Sequence, residues 1–80
     1  MKSEKIRVSG IVQGVGFRPM VWQIANQLGL VGQVWNDSEG VLIHVWGKAD
    51  SLSKFVARLK TDQPPLAQID QIRRIPLDTD

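Results

Sequence analysis

Between residues 10 and 18 the chain reads Gly10-Ile11-Val12-Gln13-Gly14-Val15-Gly16-Phe17-Arg18. A β-like run gives way to two glycines one residue apart, and an arginine stands just before an apolar periodic segment. Glycine reaches positive φ without a steric penalty, so Gly14 and Gly16 let successive backbone N–H groups converge on one point. The planar, permanently charged guanidinium of Arg18 can close over an anion held there. Such a loop offers oxyanion binding, with a phosphoryl group as the first candidate. A simple glycine turn beside a solvated arginine is the other reading these residues permit.

Composition narrows the remaining chemistry. Eighty residues make one small domain, and 42% hydrophobic content suffices for a single core. The absence of cysteine excludes a disulfide framework, a thiolate metal site and a cysteine nucleophile within these residues. His44, the lone histidine, has no HxxxH or acidic cluster around it and reads as a strand residue, so neither a metal site nor a cofactor is expected. A formal charge of +2 favours anionic ligands without marking a nucleic-acid surface. No signal-like apolar segment opens the chain, and no run reaches membrane-spanning length, which leads to the expectation of a soluble, cytoplasmic domain.

The elements that must position the loop follow from periodicity. Ile6, Val8, Gly10 and Val12 alternate with Lys5, Arg7 and Ser9, the pattern of a half-buried strand over 5–12. Phe17, Val21, Ile24, Ala25 and Leu28 recur at helical spacing, with Pro19 in the first turn and Gly29 placed to stop the helix. Residues 31–36 and 41–46 are β-branched and aromatic runs joined by Asp37-Ser38-Glu39-Gly40, a hairpin. Leu52, Phe55, Val56 and Leu59 form the stripe of a second helix, with Asp50 or Ser51 as its cap and Pro64-Pro65 beyond its end. A last strand falls within 69–76, where the three-residue spacing of Ile69 and Ile72 predicts a bulge or a late start.

The order β-α-β-β-α-β predicts an α+β, ferredoxin-like sandwich: a four-stranded antiparallel sheet with two helices on one face. The first crossover is expected to return the chain alongside its starting strand, setting Asn36 beside the glycine loop. Asn36 is then either a neighbour of the cradle or a turn asparagine ahead of Asp37. Trp22 lies close to the first helical stripe, and Trp35 and Trp46 lie on the hairpin; core and sheet-covering roles are expected of them. Outward Trp46 with His44 motivates an alternative, an RNA-binding module of the same topology. Tyrosine is absent, however, and no RNP-like aromatic motif appears.

Three separated segments carry a resemblance over nearly the whole chain. Residues 10–18, the stretch Gly32-Gln33-Val34-Trp35-Asn36-Asp37 with Glu39-Gly40-Val41, and Pro64-Pro65-Leu66-Ala67-Gln68-Ile69-Asp70 together resemble the acylphosphatase family. Within it, Phe17-Arg18-Pro19-Met20-Val21-Trp22 is similar to the version at the N-terminus of the HypF carbamoyltransferases, which help build the cyanide ligands of nickel-iron hydrogenases. The resemblance implies that Arg18 binds phosphate, that Asn36 positions the attacking water, and that the backbone of Gln13, Gly14, Val15, Gly16 and Phe17 forms the cradle. It further implies metal-independent hydrolysis of an acyl phosphate, with carbamoyl phosphate giving carbamate and inorganic phosphate, by the N-terminal piece of a longer chain. Downstream domains of that chain and hydrogenase-maturation proteins are the implied partners. A non-catalytic phosphate-binding docking or regulatory domain is the alternative. Trp35 departs from the arginine that free-standing acylphosphatases commonly place there, which bears on substrate preference.

Overall fold

A computed structural model describes residues 2–77. Six elements follow in order: β1 (Lys2–Ile11), α1 (Phe17–Gln27), β2 (Val31–Asp37), β3 (Gly40–Gly47), α2 (Ala49–Thr61) and β4 (Gln68–Leu77). The four strands pair antiparallel in the order β2-β3-β1-β4. This is the ferredoxin-like arrangement expected from the pattern.

Cross-strand partners share a face, so the register sorts the side chains. Ile6 opposes Ile43 and Val8 opposes Val41. These four are buried with Val45 beneath Phe17, Val21, Ile24 and Ala25 of α1 and Leu52, Phe55, Val56 and Leu59 of α2. Each such aliphatic or aromatic side chain stabilises the fold by about 1.5–3 kcal/mol, and together they clamp both helices on one sheet face. The opposite face carries Lys5 and Arg7 of β1, and Leu42, His44 and Trp46 of β3.

Where the chain must end a helix or bend a strand, the cause is local. Helix α1 closes when the Gly29 N–H bonds the Asn26 carbonyl (3.2 Å) and the Leu30 N–H bonds the Ala25 carbonyl (2.9 Å), a Schellman turn through left-handed Gly29. The β1–β4 register slips between Ser9 and Gly10: Ser9 opposes Gln71 and Gly10 opposes Ile69, leaving Asp70 as the extra residue. That bulge explains how Ile69 and Ile72, three apart, both pack against the core.

Four expectations need correction. The crossover does not return the chain alongside β1; β3 lies between β1 and β2, and β2 is an edge strand. Gly10 keeps the inward register, opposite Ile69, but is exposed and not buried like Ile6 and Val8: the bulge sets it at φ 126°, with the Gln68 carbonyl where a Cβ would go. Neither Asp50 nor Ser51 caps α2: the strand-like Lys48 (φ −73°, ψ 145°) ends the preceding extended segment and its carbonyl takes the first helical bond, from Leu52 N–H at 3.0 Å. Asp50 instead favours the helix from within its first turn. Trp22 is neither core nor sheet cover, being 51% exposed on α1, whereas Trp35, 43% exposed opposite Leu42, and the half-buried Trp46, edge-on to His44 at 5.0 Å between ring centroids, cover the outer sheet face.

Candidate active site

The loop between β1 and α1 hangs from two buried anchors. Val12 and Phe17 are each 1% exposed and part of the core, and Val15 packs partly against it. Between them Gly14 (φ 72°) and Gly16 (φ 81°) are left-handed, while no non-glycine residue of the described chain has positive φ. Alternating hand along successive residues turns consecutive N–H groups toward one side, the geometry of an anion-binding nest. A Cβ at either glycine would meet nothing within 4 Å, so the space over the loop is open.

Helix α1 adds to the same feature. Its N-cap is Gly16, which offers no side-chain cap, and its first turn has no acidic residue. The first helical bond is Met20 N–H to the Gly16 carbonyl at 3.4 Å, and Pro19 has no N–H. The Phe17 and Arg18 amides are therefore left for an external acceptor, at the positive end of the helix. Arg18 is exposed and forms no ion pair among the described residues. Its neighbour Phe17 is fixed in the core, which holds the base of the exposed arginine at the end of the loop.

Asn36 enters from β2. It opposes Val41, which in turn opposes Val8 and faces the helices, so Asn36 lies on the helix side of the sheet. It stands one residue before the β2–β3 turn, at the end of the sheet where β1 runs into the glycine loop. The turn and the loop are joined directly. Gln13 Nε2 donates to the Asp37 carbonyl at 2.7 Å and to the Gly40 carbonyl at 3.0 Å. Thus the residues singled out at 13–18 and at 36 come to one end of the molecule despite the intervening strand.

Asp37 holds the turn from the outer face. Its Oδ1 accepts from Arg7 Nη1 at 2.6 Å and from the Glu39 N–H at 2.9 Å. The Arg7 hydrogen bond first, then the Glu39 amide, hold the Asp37 carboxyl below its ordinary value, and the same pairing raises Arg7. Two concavities lie away from the loop. One is an apolar groove of about 360 Å³ between α1 and β2, beside Trp22 and Val31; the other is a polar hollow of about 240 Å³ between Arg7 and Arg73 on the outer face.

A family model for acylphosphatase matches residues 4–80. The chain belongs to the acylphosphatase family. Over 72 residues it is 54% identical to the carbamoyltransferase HypF of Rhodobacter capsulatus, covering 90% of this chain and 9% of that protein. The crystal structure of full-length HypF in its phosphate- and nucleotide-bound form superposes with a TM-score of 0.93 at 38% identity, over 98% of this chain and 10% of that one. The acylphosphatase of Bacillus subtilis gives a TM-score of 0.92 at 34% identity, over 99% of this chain and 88% of that one. The chain therefore resembles both a free-standing acylphosphatase and an acylphosphatase-like domain of HypF, and spans about a tenth of the length of the HypF relatives.

From sequence, Gln13 belongs to the candidate site through its backbone alone, and neither Arg7 nor Asp37 stands out as part of it. The signal for Gln13 was slight: a long amide side chain at the first loop position, where neither core packing nor strand pairing requires one. Arg7 and Asp37 both sit at outward positions of their strands, but only the register shows that they meet.

Proposed function

We propose that this acylphosphatase domain hydrolyses acyl phosphates at the loop 13–18, and that carbamoyl phosphate is its substrate within a HypF-like carbamoyltransferase. The observation that carries the reading is the junction of a left-handed glycine nest and a helix start without a side-chain cap, followed at once by the exposed Arg18, which has no ion pair among the described residues. The nest and the Phe17 and Arg18 amides hold the phosphoryl oxygens, and Arg18 offsets their charge. The Asn36 side-chain carbonyl orients a water for in-line attack at phosphorus.

As the new phosphorus–oxygen bond forms, the bond to the acyl oxygen breaks and the carboxylate or carbamate leaves with its electron pair. The proton of the water passes to a phosphoryl oxygen, giving inorganic phosphate. Because the leaving group is a stabilised anion, neither a strong general acid nor a metal is required, and positioning with charge stabilisation suffices. The partners in this reading are downstream domains of a longer chain and the hydrogenase-maturation machinery, in the cytoplasm. Among the described residues no helix is long and apolar enough to cross a membrane.

The site recognises the phosphoryl end, so the domain alone is expected to accept several acyl phosphates, with preference for carbamoyl phosphate arising in the full chain. Phosphate release from carbamoyl phosphate and from a simple aromatic acyl phosphate, by the domain and by the longer chain with Arg18 intact or replaced, tests this. Unchanged carbamoyl phosphate cleavage in the Arg18→Ala long chain would leave a phosphate-binding docking domain instead.

A further inference from the structure

We propose that the Gln13 side chain is a positioning residue for this hydrolysis, tying the strand end that carries Asn36 to the cradle; the inference rests on the reading above. Both N–H bonds of one side-chain amide are used on two carbonyls, Asp37 at 2.7 Å and Gly40 at 3.0 Å, which bracket the two-residue tip Ser38-Glu39. Gln13 thereby serves two parts of the site at once. Its main chain opens the nest, and its side chain grips the residue directly after Asn36.

The topology makes such a tie necessary. Strand β3 separates β2 from β1, so Asn36 sits on an edge strand with backbone pairing on one side only, two strands from the one that leads into the loop. In-line attack demands that the water-bearing amide be fixed relative to the bound phosphoryl group to a fraction of an ångström. The Arg7–Asp37 pair at 2.6 Å braces the same turn from the outer face, opposite the one on which Asn36 lies. Among the side-chain hydrogen bonds of the described residues, those of Gln13 are the ones that join the loop to the turn.

The test is steady-state kinetics with an aromatic acyl phosphate, together with competitive inhibition by inorganic phosphate, for wild type, Gln13→Ala, Gln13→Glu, Asn36→Ala and the Gln13→Ala/Asn36→Ala pair. Melting curves confirm that each exposed-site variant is folded. Gln13→Ala is expected to lower kcat about tenfold, in keeping with the loss of a pair of hydrogen bonds, while phosphate inhibition changes less than about twofold because the nest is main chain. In the Asn36→Ala background the same substitution should add no further loss, since its effect runs through Asn36.

Gln13→Glu gives a separate signature. Its carboxylate faces two carbonyls and cannot donate, so kcat at neutral pH falls at least as far as in Gln13→Ala. Once protonated it regains an O–H donor, and the ratio of its kcat to that of wild type should rise as pH falls into the carboxyl range. An undiminished kcat in Gln13→Ala, an equal loss in both Asn36 backgrounds, a parallel loss of phosphate inhibition, or a flat ratio for Gln13→Glu would each overturn the positioning role. Absence of turnover in the wild type would instead overturn the hydrolysis reading on which it rests.

Discussion

Arg18 and Asn36 divide the proposed chemistry between charge and position, and their substitutions should separate accordingly. Arg18→Ala removes a charge-assisted contact of about 1.5–3 kcal/mol, so inhibition by inorganic phosphate should weaken by roughly one to two orders of magnitude. Arg18→Lys should recover little of it, because a point charge lacks the planar fork that matches two oxyanion positions. Asn36→Ala is expected to lower kcat far more than it weakens phosphate inhibition, since in the proposed mechanism Asn36 holds the water and not the ground-state anion; equal losses would make it a binding residue. Asp37 differs again, being a brace. Its folded carboxyl is held below the ordinary 3.8 mainly by Arg7, so its stabilising contribution is fully present above that value and is lost as pH falls through the lower, folded value. Wild type should therefore melt above Asp37→Asn at neutral pH, with the gap narrowing below about pH 4.

At the scale of elements, two glycines with positive φ carry different burdens. Gly16 is left-handed with open space where a Cβ would go, so Gly16→Ala should lower stability by about 1–2 kcal/mol and disrupt phosphate binding more than its melting point implies. Gly10 is positive in φ and also lies against the Gln68 carbonyl in the β1–β4 bulge. Gly10→Ala must shift that strand pairing, so it should lower the melting temperature further while sparing phosphate affinity in the folded fraction; melting curves and inhibition by phosphate read both. The bulge itself was legible in the spacing of Ile69 and Ile72, as both helices were in their apolar stripes, because side-chain alternation reports which face a residue must bury. It does not report which strand lies next to which. The insertion of β3 between β1 and β2 depends on non-local pairing, and so do the contacts of Gln13 and Arg7. Local chemistry also misplaced the start of α2: Asp50 and Ser51 are good caps by type, but the extended Lys48 at the exit of β3 settled where the helix begins.

The whole molecule places the glycine loop at one end of its core, with Val12 and Phe17 buried on either side of it. Truncating Phe17 to alanine should therefore lower stability by about 3–5 kcal/mol as well as activity, whereas the exposed Arg18 can be replaced with little effect on the fold. Such a site, built from main-chain amides, one guanidinium and one carboxamide, has in the proposed mechanism no step that needs a metal, so turnover should survive chelation by EDTA. The loop and Arg18 were readable from sequence because glycine spacing and charge are local properties; Asn36 was readable only beside the family resemblance, since a strand-end asparagine alone has two readings. The most direct measurement is phosphate release from an aromatic acyl phosphate by the isolated domain and its Arg18→Ala variant, in EDTA, with both shown to be folded by their melting curves. Rapid release by wild type and loss by at least a hundredfold in the variant, about 2.7 kcal/mol of transition-state stabilisation, is the expected result. Comparable release by the two folded proteins would contradict the assignment of loop 13–18 as the site of hydrolysis.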